Sequence, residues 1–209
     1  MLLQKSITGK GKKALGEMGA RKADQERAAR AMREFLEALG LDLNAAGMEK
    51  TPERVAKMYA LLFSGVGQAT KPLWGEVFAA ECQGLVAVRH IPFYSMCEHH
   101  LLPFFGEVHL AYLPHEGKVA GFGKFSRLVD TLARRPQLQE RLTQQIAAAI
   151  EEDLSAEGVM AIVSAQQLCM MIRGELSLGT RTLTAESRGR IQSDVSLQQQ
   201  AWQLLMEAK

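Results

Sequence analysis

The sequence predicts an α+β domain in which N-terminal helices precede a mostly antiparallel sheet packed on a helix pair. Three observations carry this prediction. Apolar residues recur at three- and four-residue steps over residues 24–65. From residue 85 the chain turns to β-branched and alternating patterns. Two further helical periods then separate the first strand-like stretches from the last, an order that suits a sheet with its helices segregated to one face.

Taken in order, Ala28, Met32, Phe35, Leu36 and Leu39 form the first helical stripe, and Gly40 supplies a stop. Thr51-Pro52 is expected to open the second helix, with the hydroxyl as cap and proline at the first helical position. Val55, Met58, Tyr59, Leu62 and Phe63 form its apolar face, and Gly65 ends it. Residues 66–84 show no period and read as a connection. Residues 85–91 and 104–113 read as strands, with a hairpin turn at Gly117-Lys118. Helices are expected near 124–133 and 137–154, the second striped by Leu138, Leu142, Ile146, Ala149, Ile150 and Leu154. Residues 159–167, 169–173 and 180–184 complete the set as strands.

The composition fits this plan and narrows the function. The chain has 209 residues, 47% hydrophobic and 23% charged, enough for one globular domain with a substantial core. Three cysteines are too few for a disulfide-stapled scaffold. No apolar run is long enough for a membrane span, and the first 22 residues lack the apolar centre of a secretory signal. The expected setting is therefore cytoplasmic, with reduced thiols. Residues 1–22 hold six Lys/Arg against Glu17, so this arm is near +5 and the rest of the chain near −3. Residues 1–23 are expected to be a flexible basic arm and 24–209 a single domain, with its helices at 24–65 and its core at 85–189. No nucleic-acid partner is expected from a chain with so small a net charge.

The densest chemistry is Cys97-Glu98-His99-His100. A Cys and a His three apart can reach one ion from a tight turn, and thiolate with imidazole suits zinc better than magnesium or calcium. Cys169 is the natural third ligand, since it and Cys97 both fall at strand-like edges. Three protein ligands with one open position is the pattern of a catalytic zinc. Two buried cysteines and a satisfied histidine would give the same spacing, and the residues alone leave both readings open.

Around Ser95-Met96-Cys97-Glu98-His99-His100-Leu101-Leu102-Pro103-Phe104 the chain resembles the GTP cyclohydrolase I family. The likeness continues through Thr51-Pro52-Glu53-Arg54-Val55-Ala56-Lys57-Met58-Tyr59, Gly121-Phe122-Gly123-Lys124 and Arg134-Arg135-Pro136-Gln137-Leu138-Gln139-Glu140-Arg141-Leu142. It closes with Cys169-Met170-Met171-Ile172-Arg173-Gly174 and so spans roughly 25–184. The resemblance implies the tunnelling fold (T-fold) in ring-forming oligomers, a homodecamer with sites between subunits. It implies zinc on Cys97, His100 and Cys169, and a catalytic histidine at His99. Arg54, Lys57, Lys124, Arg127 and Arg173 fall where the family surrounds a triphosphate, and Gln139 and Glu140 where it reads guanine. Cations and a guanidinium fork suit the triphosphate, and a carboxylate suits the guanine N1–H and amino group. The reaction implied is attack of zinc-activated water on carbon 8 of GTP, with loss of formate and closure to 7,8-dihydroneopterin triphosphate.

The sequence departs from that pattern near the implied site. Gln167 stands where the family has a histidine two residues before the second zinc cysteine, and glutamine cannot shuttle a proton near neutral pH. Gly123 replaces a serine before the phosphate-binding lysine, and Ala185-Glu186-Ser187-Arg188-Gly189 replaces a small, apolar run. Drift in a duplicated gene is the plain account of each change. The sharper account is a paralogue that stops at the ring-opened formamide, 2-amino-5-formylamino-6-ribosylaminopyrimidinone triphosphate. A non-catalytic nucleotide binder or regulator, and an enzyme for a modified purine nucleotide, are the other readings.

Overall fold

The computed structural model describes residues 23–172 and 179–206. Helices α1 (Gln25–Ala38) and α2 (Thr51–Leu62) pack on each other as a hairpin. Asp24 caps α1 by accepting the Arg27 N–H at 2.9 Å, which satisfies one of the free donors of the first turn. Although α1 is amphipathic, none of its residues is buried, and Phe35 is 57% exposed. The expected Thr51 cap is not made. Thr51 is already the first residue of α2, because turns at 45–51 feed the chain into the helix, and its hydroxyl faces Met48 Sδ at 3.8 Å. Pro52 and Ala56, rather than the expected stripe, are the buried residues of α2.

Gly65 does more than follow a helix end. A Cβ there would lie 2.0 Å from Thr131 O and 2.9 Å from Arg134 O, so only glycine lets this loop lie against the following helical layer. Gly65→Ala is expected to destabilise the fold by about 1–3 kcal/mol, read as a lower urea midpoint.

The sheet is built from β2 (Val86–Cys97), β3 (Pro103–Leu113), β5 (Pro136–Gln137), β6 (Gly158–Gln167) and β7 (Thr182–Arg188). Its order is β5-β2-β3-β6-β7, antiparallel throughout except for the β2–β5 pair. Helices α3 (Gly123–Ala133) and α4 (Gln139–Leu154) cover one face. Val108, Leu110 and Tyr112 of β3 and Val159, Ala161 and Val163 of β6 meet Leu128, Leu132, Leu142, Ile146 and Ile150 there. Each Val, Leu or Ile among them contributes about 1.5–3 kcal/mol of apolar burial. Alternate residues Ala111, Met160 and Ile162 face the other way and pack on Ile191, Ala201 and Leu205. Those three come from α6 (Gly189–Ser193) and α7 (Val195–Met206), C-terminal helices absent from the sequence reading.

Two further expectations are corrected. Residues after Gly117 do not fold back on β3; β4 (Lys118–Ala120) pairs with β1 (Val77–Ala79), a strand inside the supposed connection. Residues from 169 do not form a strand, because the chain turns into one helical turn, α5 (Leu168–Met171), closed by the Ile172 N–H on Leu168 O. The basic arm at 1–22 and Arg173 lie outside the described residues. Among the described residues no helix is long and apolar enough to cross a membrane.

Candidate active site

Cys97 is the last residue of β2, paired with Gln137 on β5. The chain then makes a tight turn. Leu101 N–H donates to Cys97 O at 2.8 Å, Cys97 N–H to Leu102 O at 2.9 Å and Glu98 N–H to Gln137 O at 3.0 Å. Leu101 takes φ +52°, an uncommon left-handed value, and the Tyr59 hydroxyl of α2 donates to its carbonyl at 3.3 Å. This turn puts Cys97 and His100 on the same side. Cys169 arrives from α5, just past the end of β6.

The donor atoms of Cys97, His100 and Cys169 all lie within 4.8 Å of one another. Cys97 is buried, Cys169 half-buried and His100 exposed, and neither cysteine is in a disulfide. Two sulfurs and one imidazole nitrogen are a fitting set for zinc. Bonds of about 2.0–2.3 Å around a tetrahedral ion need only a modest closure of this cluster. Three protein donors, with one position left for water or substrate, is the ligand count of a catalytic centre.

A cavity of about 380 Å³ adjoins the cluster, lined among others by Cys97, His99, Glu140, Gln167 and Cys169. His99 is exposed, its ring edge-on to His100 with centroids 6.1 Å apart. Glu140 sits in the first turn of α4, exposed to the cavity. Gln139 lines the same cavity, but its amide is engaged within the fold. Its Nε2 donates to Val163 O at 3.0 Å, with Thr182 O and Thr184 Oγ1 within 3.2 Å, while its Oε1 accepts from Thr182 Oγ1 at 2.6 Å. Gln167 Nε2 donates to the same Oε1 at 2.8 Å, leaving Gln167 Oε1 4.0 Å from Cys169 Sγ.

The basic residues expected around a triphosphate lie elsewhere in the chain. Arg54 and Lys57 are exposed on α2, with the Arg54 guanidinium donating to Gly47 O at 3.4 Å. Gly123 opens α3, Lys124 is half-buried beside Gly75, and Arg127 is exposed one turn on. None of these lines the cavity beside the cysteines.

The sequence reading missed the support of the metal turn. Arg141 on α4 forks both oxygens of Glu98, at 2.6 and 2.7 Å. The hydrogen bonds from Arg141 hold the Glu98 carboxyl below its ordinary range, and the same contact raises Arg141. Such bidentate pairs fix geometry as well as charge. Arg141 lay within the quoted motif, but nothing in the spacing named its partner. Arg141→Gln is expected to weaken zinc affinity about 10-fold by loosening the turn, measured by competition with a chelating dye.

Fold and site together define an enzyme-like pocket with a thiolate–imidazole metal set at the end of an antiparallel sheet. The chain belongs to the GTP cyclohydrolase I family, whose sequence profile it matches over residues 28–206. It is 49% identical over 175 residues to GTP cyclohydrolase 1 of Geobacillus kaustophilus, spanning 84% of this chain and 93% of that protein. It is 46% identical over 171 residues to GTP cyclohydrolase 1 of Streptococcus agalactiae serotype V, spanning 82% and 91%. Among solved structures, the archaeosine synthase QueF-Like in the apo form aligns with a TM-score of 0.43 at 19% identity, over 52% of this chain and 96% of that one.

Proposed function

We propose that this chain is a zinc-dependent hydrolase that opens the imidazole ring of GTP and carries it to 7,8-dihydroneopterin triphosphate and formate. The observation that carries this reading is the convergence of Cys97, His100 and Cys169 beside a cavity that also holds His99 and Glu140. Cys97, His100 and Cys169 would hold the ion, and bound there it supplies the Lewis acidity that makes water a nucleophile near neutral pH. His99 exchanges protons with the reacting purine, as an imidazole at the cavity edge can. Glu140 accepts the guanine N1–H and amino hydrogens, while Gln139 braces the wall behind it. Arg54, Lys57, Lys124, Arg127 and Arg173 would bind the triphosphate. The absence of Arg54, Lys57, Lys124 and Arg127 from the cavity lining within one chain suits a site completed between subunits of a ring-shaped homodecamer. A reducing cytoplasm suits cysteines that form no disulfide.

A second reading is favoured by Gln167. Its amide is tied to Gln139 and offers the cavity no proton carrier, which suits a reaction that stops at the formamide. Zinc-loaded protein mixed with GTP distinguishes the two by mass spectrometry with a parallel formate assay. Dihydroneopterin triphosphate with one formate per turnover supports the first reading, and formamide without formate the second. No product from any guanine nucleotide would favour a non-catalytic binder.

Gly123 gives a further test. A Cβ there meets nothing within 4 Å, so Gly123→Ser fits without strain. The added hydroxyl is expected to lower the KM for GTP about 10-fold by donating to the triphosphate.

A further inference from the structure

A second cluster of metal-type donors lies away from the cysteines. His90, Glu107 and His109 present one imidazole nitrogen or carboxylate oxygen each, all within 4.8 Å of one another. His90 Nδ1 is 2.8 Å from Glu107 Oε2, and His109 Nε2 is 3.8 Å from the same oxygen. The two rings stand edge to face with centroids 4.8 Å apart.

The backbone is shaped around this cluster. The β2–β3 register slips between Val88 and Ile91, so Arg89 and His90 share the stretch of β3 held by His109. His90 takes φ +56°, a left-handed value that few non-glycine residues adopt. A bulge of this kind re-aims a side chain, and here it carries the His90 ring onto Glu107. Backbone outliers of this sort cost about 1–3 kcal/mol and cluster where a site needs them.

We infer that His90, Glu107 and His109 form a second site for a divalent first-row transition metal. Two imidazoles and one carboxylate suit zinc, cobalt or iron with water in the open positions, and do not suit magnesium or calcium. The cluster is separate from the cysteine centre. Glu107 and His109 point to the sheet face opposite Val108 and Leu110, and lie roughly 10–17 Å along β3 from Phe104 at the cavity. Two features make it the weaker of the two sites. Binding at Nε2 moves the His109 proton to Nδ1, at the expense of the long 3.4 Å contact from the His90 N–H. Arg181, hydrogen-bonded to Ser164 Oγ at 3.4 Å, and Arg89 also place positive charge nearby. Thiolates bind these metals more tightly than imidazole and carboxylate, so the cysteine centre fills first.

The test is a cobalt(II) titration of the untagged, metal-free full chain, followed by absorbance and by metal count after dialysis. The first equivalent should bring sulfur-to-cobalt charge-transfer absorbance, and the second should add ligand-field bands without more of it. His90→Gly keeps the left-handed backbone and removes the imidazole, while Glu107→Gln keeps the shape and removes the charge. Both variants should lose the second equivalent and retain the first. A wild-type chain that takes one cobalt, or either variant still taking two, would overturn the inference. Absence of the charge-transfer band would count only against the cysteine centre.

Discussion

Cys169→Ser is expected to leave the purified protein with less than about a tenth of an equivalent of zinc and to slow GTP opening at least ~10³-fold, since water without the metal ionises far above neutral pH. The size of the effect follows from the ligand count. Three protein donors meet in this centre, and two remaining ligands cannot hold zinc against dialysis. The substitution exchanges one sulfur for oxygen at a half-buried position in the single helical turn α5, at the margin of the core, and changes the side-chain volume little. Thermal unfolding should confirm that the fold survives. Cys82→Ser is the control, because Cys82 sits near the β1–β4 strand pair, where its thiol faces Gly84 O at 3.7 Å. It should keep full zinc and full activity. Zinc retained by Cys169→Ser would end the assignment of this centre.

Gln167→His is the second large effect. The imidazole can donate from one nitrogen to Gln139 Oε1, the acceptor that Gln167 now uses at 2.8 Å, and turn the other nitrogen toward the cavity. Gln139 is held in place by Val163, Thr182 and Thr184, so the acceptor stays where it is. A proton carrier with a pKa near 6.5 then stands beside the reacting ring, and formate release is expected to rise about 10²- to 10⁴-fold. Formate and pterin are measured together in a stopped time course. An unchanged rate and product distribution would show that this position does not limit the reaction.

The parts of the fold legible in the sequence are those where burial leaves a clear pattern, either a one-sided stripe or a short continuous apolar run. Helix α4 was readable because Leu142, Ile146 and Ile150 all go into one core. Strand β6 was readable because its residues are buried on both faces. The chain after Gln167 read as a strand because Cys169 to Ile172 are apolar, yet four residues are too few for a period to separate strand from helical turn. The β1–β4 pair escaped because its pattern depends on a partner about forty residues away rather than on alternation. The grouping of Cys97, His100 and Cys169 was legible because few residue types can serve as zinc ligands. Gln139's internal bonds were not, since an amide that braces a wall and one that reads a base look alike in sequence.

The two sulfurs of the centre come from the last residue of β2 and from α5 just after β6, and β3 runs between those two strands in the sheet. More than a third of the sequence separates Cys97 from Cys169. In an unfolded chain such distant thiols seldom meet, so the donor set comes into being only when β3 has neighbours on both sides. An ion held there would tie the end of β2 and the turn after it to the segment that follows β6. Its uptake timestamps the assembly of the sheet, and a chelator would loosen the end of the sheet rather than a surface loop.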